Sequence, residues 1–188
     1  MTPAAEPTAF GRRDFLKLSA GSAALLGAGA FTAGLAGCAK QEAPAAGYAF
    51  LRAGDAALFA AIAPLVLADS LPQQGRAEHL QQLLKAIDGT GARLQAPTQK
   101  MLYQLFDLLN TGLTRRLAAG VSKPWAEAEP AQIEAFLNRW RNSSIGLFNG
   151  GYRALNKLVV GNWIALPEGL KAVGYPGPWA PMYSALNS

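Results

Sequence analysis

The chain has 188 residues, 17 Lys and Arg against 12 Asp and Glu, a net charge of +5, one Cys and one His. That inventory excludes an intramolecular disulfide, a cysteine zinc cluster and a Cys-x-x-Cys-His haem attachment. Beyond the first forty residues the positive excess is spread out, with Arg115-Arg116 and Arg139/Arg141 the only close pairs, so no basic helix face suited to nucleic acid emerges.

The first forty residues read as an address and not as part of a fold. Gly11-Arg12-Arg13-Asp14-Phe15-Leu16-Lys17 matches the twin-arginine export pattern S/T-R-R-x-F-L-K, with Gly11 the one departure. An uncharged Ala/Gly-rich run, Leu18 to Ala39, follows. By length it could span a bilayer, but its glycines and hydroxyl residues make it only mildly hydrophobic, as in a removable signal. Gly27-Ala28-Gly29-Ala30 is not a dinucleotide fingerprint, because no strand precedes it and no third spaced glycine opens a helix. Leu35-Ala36-Gly37-Cys38 matches a lipobox, in which the chain is cut before a lipidated cysteine. The competing reading places Cys38 inside the apolar region, with cleavage near Ala43-Pro44-Ala45.

The expected organisation is therefore a signal over residues 1–37, a lipidated tether over 38–47 and a helical domain over 48–188. Removing the signal leaves 151 residues, enough for one domain with a sizeable core. The 17 basic and 12 acidic residues become 14 and 10 once Arg12, Arg13, Lys17, Glu6 and Asp14 are gone, a net charge of +4.

Helical punctuation runs through the rest. Gly54-Asp55 is expected to cap a helix bearing Leu58, Phe59, Ile62, Leu65 and Val66 at three- and four-residue spacing, kinked or restarted at Pro64. Ala77–Ile87 places Leu80, Leu83, Leu84 and Ile87 on one face, with Asp88-Gly89 ending it. Pro97-Thr98 opens a helix with Met101, Leu102, Leu105, Phe106, Leu108, Leu109 and Leu113, predicted to run to Ala119-Gly120. Glu129-Pro130 begins another, with Ile133, Phe136, Leu137 and Trp140 inward. Ser143-Ser144 caps a last apolar segment through Trp163, with Leu147, Phe148, Tyr152, Leu155, Leu158 and Val159 on its apolar side, closed by Pro167. The fold expected is an all-α, bundle-like domain of about five helices.

The C-terminal stretch Gly169 to Trp179 packs glycines, prolines and two aromatics too densely for regular helix or central strand. One reading folds this tail over the helical core. The other makes it a partner-facing hook, with Trp163, Tyr175, Pro176, Gly177, Pro178 and Trp179 at an interface.

With Tyr48-Ala49-Phe50-Leu51, Leu58 to Leu67, Asn162-Trp163 and Gly174-Tyr175-Pro176-Gly177-Pro178 in this order behind a twin-arginine signal, the chain resembles the gluconate 2-dehydrogenase subunit 3 family. The family's first helix ends in Ile-Ile-Pro, where this chain has Leu65-Val66-Leu67-Ala68-Asp69-Ser70-Leu71-Pro72. The resemblance implies the small subunit of a membrane-associated flavin dehydrogenase. In such a complex a large glucose–methanol–choline-type subunit binds FAD and oxidises a sugar or other alcohol. A multihaem cytochrome c often takes the electrons. The small subunit carries the signal and escorts the large one through the twin-arginine translocase.

Little in the chain points to chemistry of its own. His79 is the sole histidine, expected at the surface of a helix start, and Asp107 and Glu134 are expected on helix surfaces. No phosphate loop or nucleophile motif follows the signal, so neither a catalytic site nor a cofactor or metal in this polypeptide is expected. Three explanations compete: a noncatalytic escort subunit, a free-standing periplasmic lipoprotein binding a small ligand between its helices, and a catalyst using Asp107, Glu134 or His79.

Overall fold

The structure, a computed structural model, describes residues 42–175. Among them there is no strand, and seven α-helices follow in order. They are α1 (Ala53–Leu67), α2 (Arg76–Arg93), α3 (Ala96–Asn110), α4 (Gly112–Thr114), α5 (Pro130–Arg141), α6 (Gly146–Trp163) and α7 (Pro167–Ala172). A π-helical turn, Arg115–Ala119, continues α4, and single 3₁₀ turns occupy Ala68–Ser70 and Trp125–Glu127.

α1 is the hub. It is apolar around most of its circumference, as a helix enclosed by others should be, and it packs against α2, α3, α5, α6 and the Trp125–Glu127 turn. With the turn that follows, Ala53–Ser70 is long and apolar enough to cross a bilayer, yet Leu58, Phe59, Ile62 and Ala63 are buried at the centre of this fold. α6 is the second hub, against α1, α2 and α5. Two aromatic rows fill the space between. Phe50 stacks on Tyr103 with centroids 4.7 Å apart and meets Phe106 edge-on, which in turn meets Phe59. Trp125, Phe136, Trp140 and Phe148 form the other, with Trp140 stacked on Phe148 at 5.2 Å.

Several helix boundaries differ from expectation. α1 passes through Pro64 as one helix, without the bond that this residue cannot donate to the Ala60 carbonyl, and ends at Ala68, whose N–H donates to the Pro64 carbonyl. Arg52, not Gly54, is its N-cap, and Asp55 occupies the third helical position. α2 does not stop at Asp88-Gly89. It runs on to Arg93, because the Asp88 carboxylate serves another segment and Gly91 leaves room for the Phe50 ring.

The helix expected to run from Pro97 to Gly120 breaks after Asn110, and Thr111 is extended. Side chains from elsewhere satisfy the carbonyls this break orphans. Trp125 Nε1–H donates to the Leu109 carbonyl at 3.0 Å and Arg115 Nη1 to that of Asn110 at 2.9 Å. The Ala118 carbonyl in the π turn accepts from both Trp140 Nε1 and Arg139 Nη2, each at 2.9 Å. Pro167, read from sequence as a terminator, opens α7 at its first position, where a missing N–H costs nothing.

The tail therefore begins as helix and not as irregular chain. α7 ends in a Schellman motif: Tyr175 N–H donates to the Leu170 carbonyl and Gly174 N–H to that of Lys171. Gly174 sits at φ +68°, which glycine adopts without strain.

The inward faces assigned to α5 and to the middle of α2 are buried as expected, Ile133, Phe136, Leu137, Trp140, Leu83, Leu84 and Ile87 among them. Met101, Leu113 and Leu147, assigned to apolar faces, are instead 64–69 % exposed.

Candidate functional site

The densest polar chemistry lies where the N-terminal segment enters the domain. Residues 45–52 have no regular structure, so their backbone groups need partners from elsewhere. Asp88, 7 % exposed in the middle of α2, supplies three. Its Oδ1 accepts from the backbone N–H of Phe50 at 2.7 Å and of Leu51 at 2.8 Å, and its Oδ2 from that of Ala49 at 2.9 Å. Burial alone would raise the pKa of this carboxyl. The hydrogen bonds from Ala49, Leu51 and Phe50, with the charge of Lys85, outweigh that and hold it below the ordinary range. Lys85 adds a bond to the Gly47 carbonyl and lies over the Tyr48 ring. Ala45 N–H donates to the Leu51 carbonyl at 2.9 Å, so attachment begins three residues before the expected domain start at Tyr48.

Arg52 closes the same segment onto α1 and α3. Asp55 is fully buried; its Oδ2 accepts from Arg52 Nε at 2.8 Å and from the Arg52 backbone N–H at 3.0 Å. The Oδ1 atom accepts from Arg52 Nη2 at 3.1 Å and Asn110 Nδ2 at 2.7 Å. Arg52 Nη1 reaches Asp107 Oδ1 at 2.6 Å, and the guanidinium lies over the Tyr103 ring, whose hydroxyl donates to the Phe50 carbonyl. Burial works against this guanidinium's charge, but Asp55 and Asp107 overcome it, so its pKa moves up. Asp55 and Asp88 thus have their oxygens occupied by structural bonds, and the cluster acts as an anchor for the N-terminal entry.

Asp107 does sit at the helix surface, its side chain 57 % exposed, though paired with Arg52. His79 is half-buried where the sequence suggested a surface residue, edge-on to the Trp163 ring with centroids 6.3 Å apart. Its Nδ1 and the Trp163 Nε1 have no hydrogen-bond partner. Among the described residues no group of three His, Cys, Asp or Glu is placed to hold a metal ion.

Of the residues assigned to a partner interface, Trp163 is 1 % exposed and forms part of the core, while Tyr175 is 49 % exposed. The sequence logic paired them by residue type, but Trp163 points inward from the second hub helix. Arg12, Arg13, Phe15, Leu16, Lys17, Cys38, Pro176, Gly177, Pro178 and Trp179 lie outside the described residues.

Two mainly apolar grooves lie elsewhere on the described residues. One, of about 470 Å³, lies between the alanine face of α1 (Ala57, Ala60, Ala61), the Trp125–Pro130 turn and Arg76. The other, of about 370 Å³, lies between Thr90 and Leu94 of α2, Leu102 of α3 and Leu158 and Gly161 of α6. Both walls are mainly apolar, so either groove suits an apolar body with few polar handles.

Comparison with protein families, curated proteins and solved structures finds no match for this chain.

Sequence reasoning missed Arg52 entirely and read Asp88 as a helix terminator. The signal available for Arg52 was its spacing from Asp55: an acid at the third helical position reaches back to the N-cap backbone, and a cation at that N-cap meets the same acid. Nothing local could have announced Asp88, whose partners lie 37 to 39 residues away.

Proposed function

We propose that this chain is a noncatalytic small subunit of a membrane-associated, flavin-dependent sugar or alcohol dehydrogenase. In this reading it brings a larger FAD-binding subunit through the twin-arginine translocase already folded, then stabilises or anchors it on the periplasmic side of the membrane through Cys38, with a cytochrome c as a further partner. The observation that carries the reading is Arg12-Arg13-Asp14-Phe15-Leu16-Lys17 at the head of the chain, ahead of an all-helical domain. Folded export fits a protein that travels with cofactor-bearing company. The occupation of Asp55 and Asp88 by structural bonds is in keeping with a scaffold role.

The test is affinity purification in mild detergent from the native host, with a visible spectrum of what co-purifies. A second, several-fold larger chain with flavin bands near roughly 380 and 450 nm supports the reading. A colourless, stable monomer overturns it and favours the second reading, a free-standing helical lipoprotein with a small ligand, for which the groove of about 470 Å³ is the specific observation.

A further inference from the structure

Four large aliphatic side chains stand out at one end of the domain: Leu113 at 69 %, Leu117 at 76 %, Ile145 at 55 % and Leu147 at 64 % exposure. Contacts beneath them bring them together. The Ala118 carbonyl accepts from Trp140 and Arg139 of α5, Trp140 stacks on Phe148 of α6, and Asn149 Nδ2 donates to the Arg141 carbonyl at 2.7 Å. The π turn, the end of α5 and the start of α6 therefore meet; Leu113 and Leu117 belong to α4 and the π turn, and Ile145 and Leu147 to the start of α6. Leu113 and Leu117 are four residues apart, one helical turn.

The charges in this part of the chain are mainly positive. No Asp or Glu occurs between Asp107 and Glu127, and none between Glu134 and Glu168. Those two stretches supply Arg115, Arg116, Lys123, Arg139, Arg141, Arg153 and Lys157. Arg115 is buried on the Asn110 carbonyl and Lys123 pairs with Glu129, while Glu134 shares a groove with Arg141. Arg116, Arg139 and Arg141 are exposed; Arg116 adjoins Leu117 in the chain, Arg139 holds the Ala118 carbonyl and Arg141 is bonded through its own carbonyl to Asn149 of α6.

We propose that this leucine–arginine end is a membrane-contact surface that seats in the headgroup region of an anionic bilayer. Protruding aliphatics enter the acyl boundary while arginines at their margin meet lipid phosphates. Exposed aliphatics accompanied by the exposed cations Arg116, Arg139 and Arg141 are complementary to a bilayer, whose anionic headgroups lie directly above an apolar region. The surface is independent of Cys38 and of the dehydrogenase reading.

The test uses the full chain with Cys38→Ser and one new cysteine, Leu117→Cys or Leu147→Cys, carrying a polarity-sensitive nitrobenzoxadiazole dye. Vesicles of phosphatidylcholine alone are compared with vesicles that also contain phosphatidylglycerol. The expected result is a blue shift on the anionic vesicles only, reversed by about 0.5 M salt, with no shift for the dye at Gln81→Cys on α2. Arg116→Gln and Arg141→Gln should each weaken binding roughly fivefold. Sedimentation with anionic vesicles while the Leu117 and Leu147 dyes stay unmoved would assign binding to the N-terminal segment and overturn the proposal. So would a blue shift produced without lipid by concentrating the protein, or by adding a co-purifying larger chain, since the surface would then be a protein interface. The dye positions are exposed, and unchanged circular dichroism of each variant separates loss of contact from loss of fold.

Discussion

Asp88 Oδ1 accepts the Phe50 backbone N–H at 2.7 Å, and the Phe50 ring lies against Gly91, one turn further along the same helix. One stretch of α2 therefore holds both the backbone and the side chain of the entering segment. The carboxylate removes the cost of burying unpaired N–H groups, and the glycine makes space for the ring. Phe50 is 2 % exposed, and full burial of such a side chain stabilises by about 1.5–3 kcal/mol.

Asp88→Asn tests the polar half. The Asp88 carboxyl has a depressed pKa in the fold, so its contribution is fully present above the unfolded value, about 3.9, and is lost as pH falls through the lower folded value. The variant should lose about 2 kcal/mol at pH 7, as expected for weakening charge-assisted hydrogen bonds, with the gap narrowing as pH falls below the unfolded value of about 3.9. Urea unfolding at pH 7 and in acid reads this; an equal gap at the two would show that the charge is not what matters.

Arg52→Ala should be more damaging. It leaves Asp55, fully buried, with Asn110 and the backbone N–H of residue 52 but no cation. An uncompensated buried charge costs about 3–5 kcal/mol. Adding Asp55→Asn to the same chain should restore part of that loss, and a double variant no more stable than Arg52→Ala would sink the ion-pair account.

Ala68 ends α1 at φ +46°, the one described non-glycine residue with positive φ. A methyl group is strained there and glycine is not. Ala68→Gly should therefore raise stability by up to about 1 kcal/mol, against the usual penalty for introducing glycine. A fall in melting temperature would mean the turn bears no strain.

For the proposed export role, Arg12→Lys with Arg13→Lys keeps both charges but removes the planar donor forks of arginine. The expected outcome is failed export of this chain and of the flavin subunit proposed to travel with it, read by fractionating periplasm from cytoplasm. Arrival of the larger chain in the periplasm of that strain would remove the escort role while leaving the export signal itself a separate question.

How much was legible follows from the range of each interaction. The inward faces of α5 and the middle of α2 were readable because helical periodicity is local and Ile133, Phe136, Leu83 and Ile87 obey it. The same rule failed for Leu113 and Leu147. Periodicity reports which residues share a face, not whether a neighbour covers that face. The break at Asn110 was invisible because the groups that satisfy its carbonyls include Trp125, 16 residues on. Arg52 has one partner three residues away and another 55 residues away; only the first lay within reach of a pattern.

The distance in sequence between Asp88 and residues 49–51 has a consequence for synthesis. A ribosome making this chain releases residues 49–51 well before residue 88, so their N–H groups bond only to water until α2 has formed. Once that helix closes, the Asp88 carboxylate replaces the water, and the seating of three amides waits on the completion of a helix nearly forty residues further along the chain.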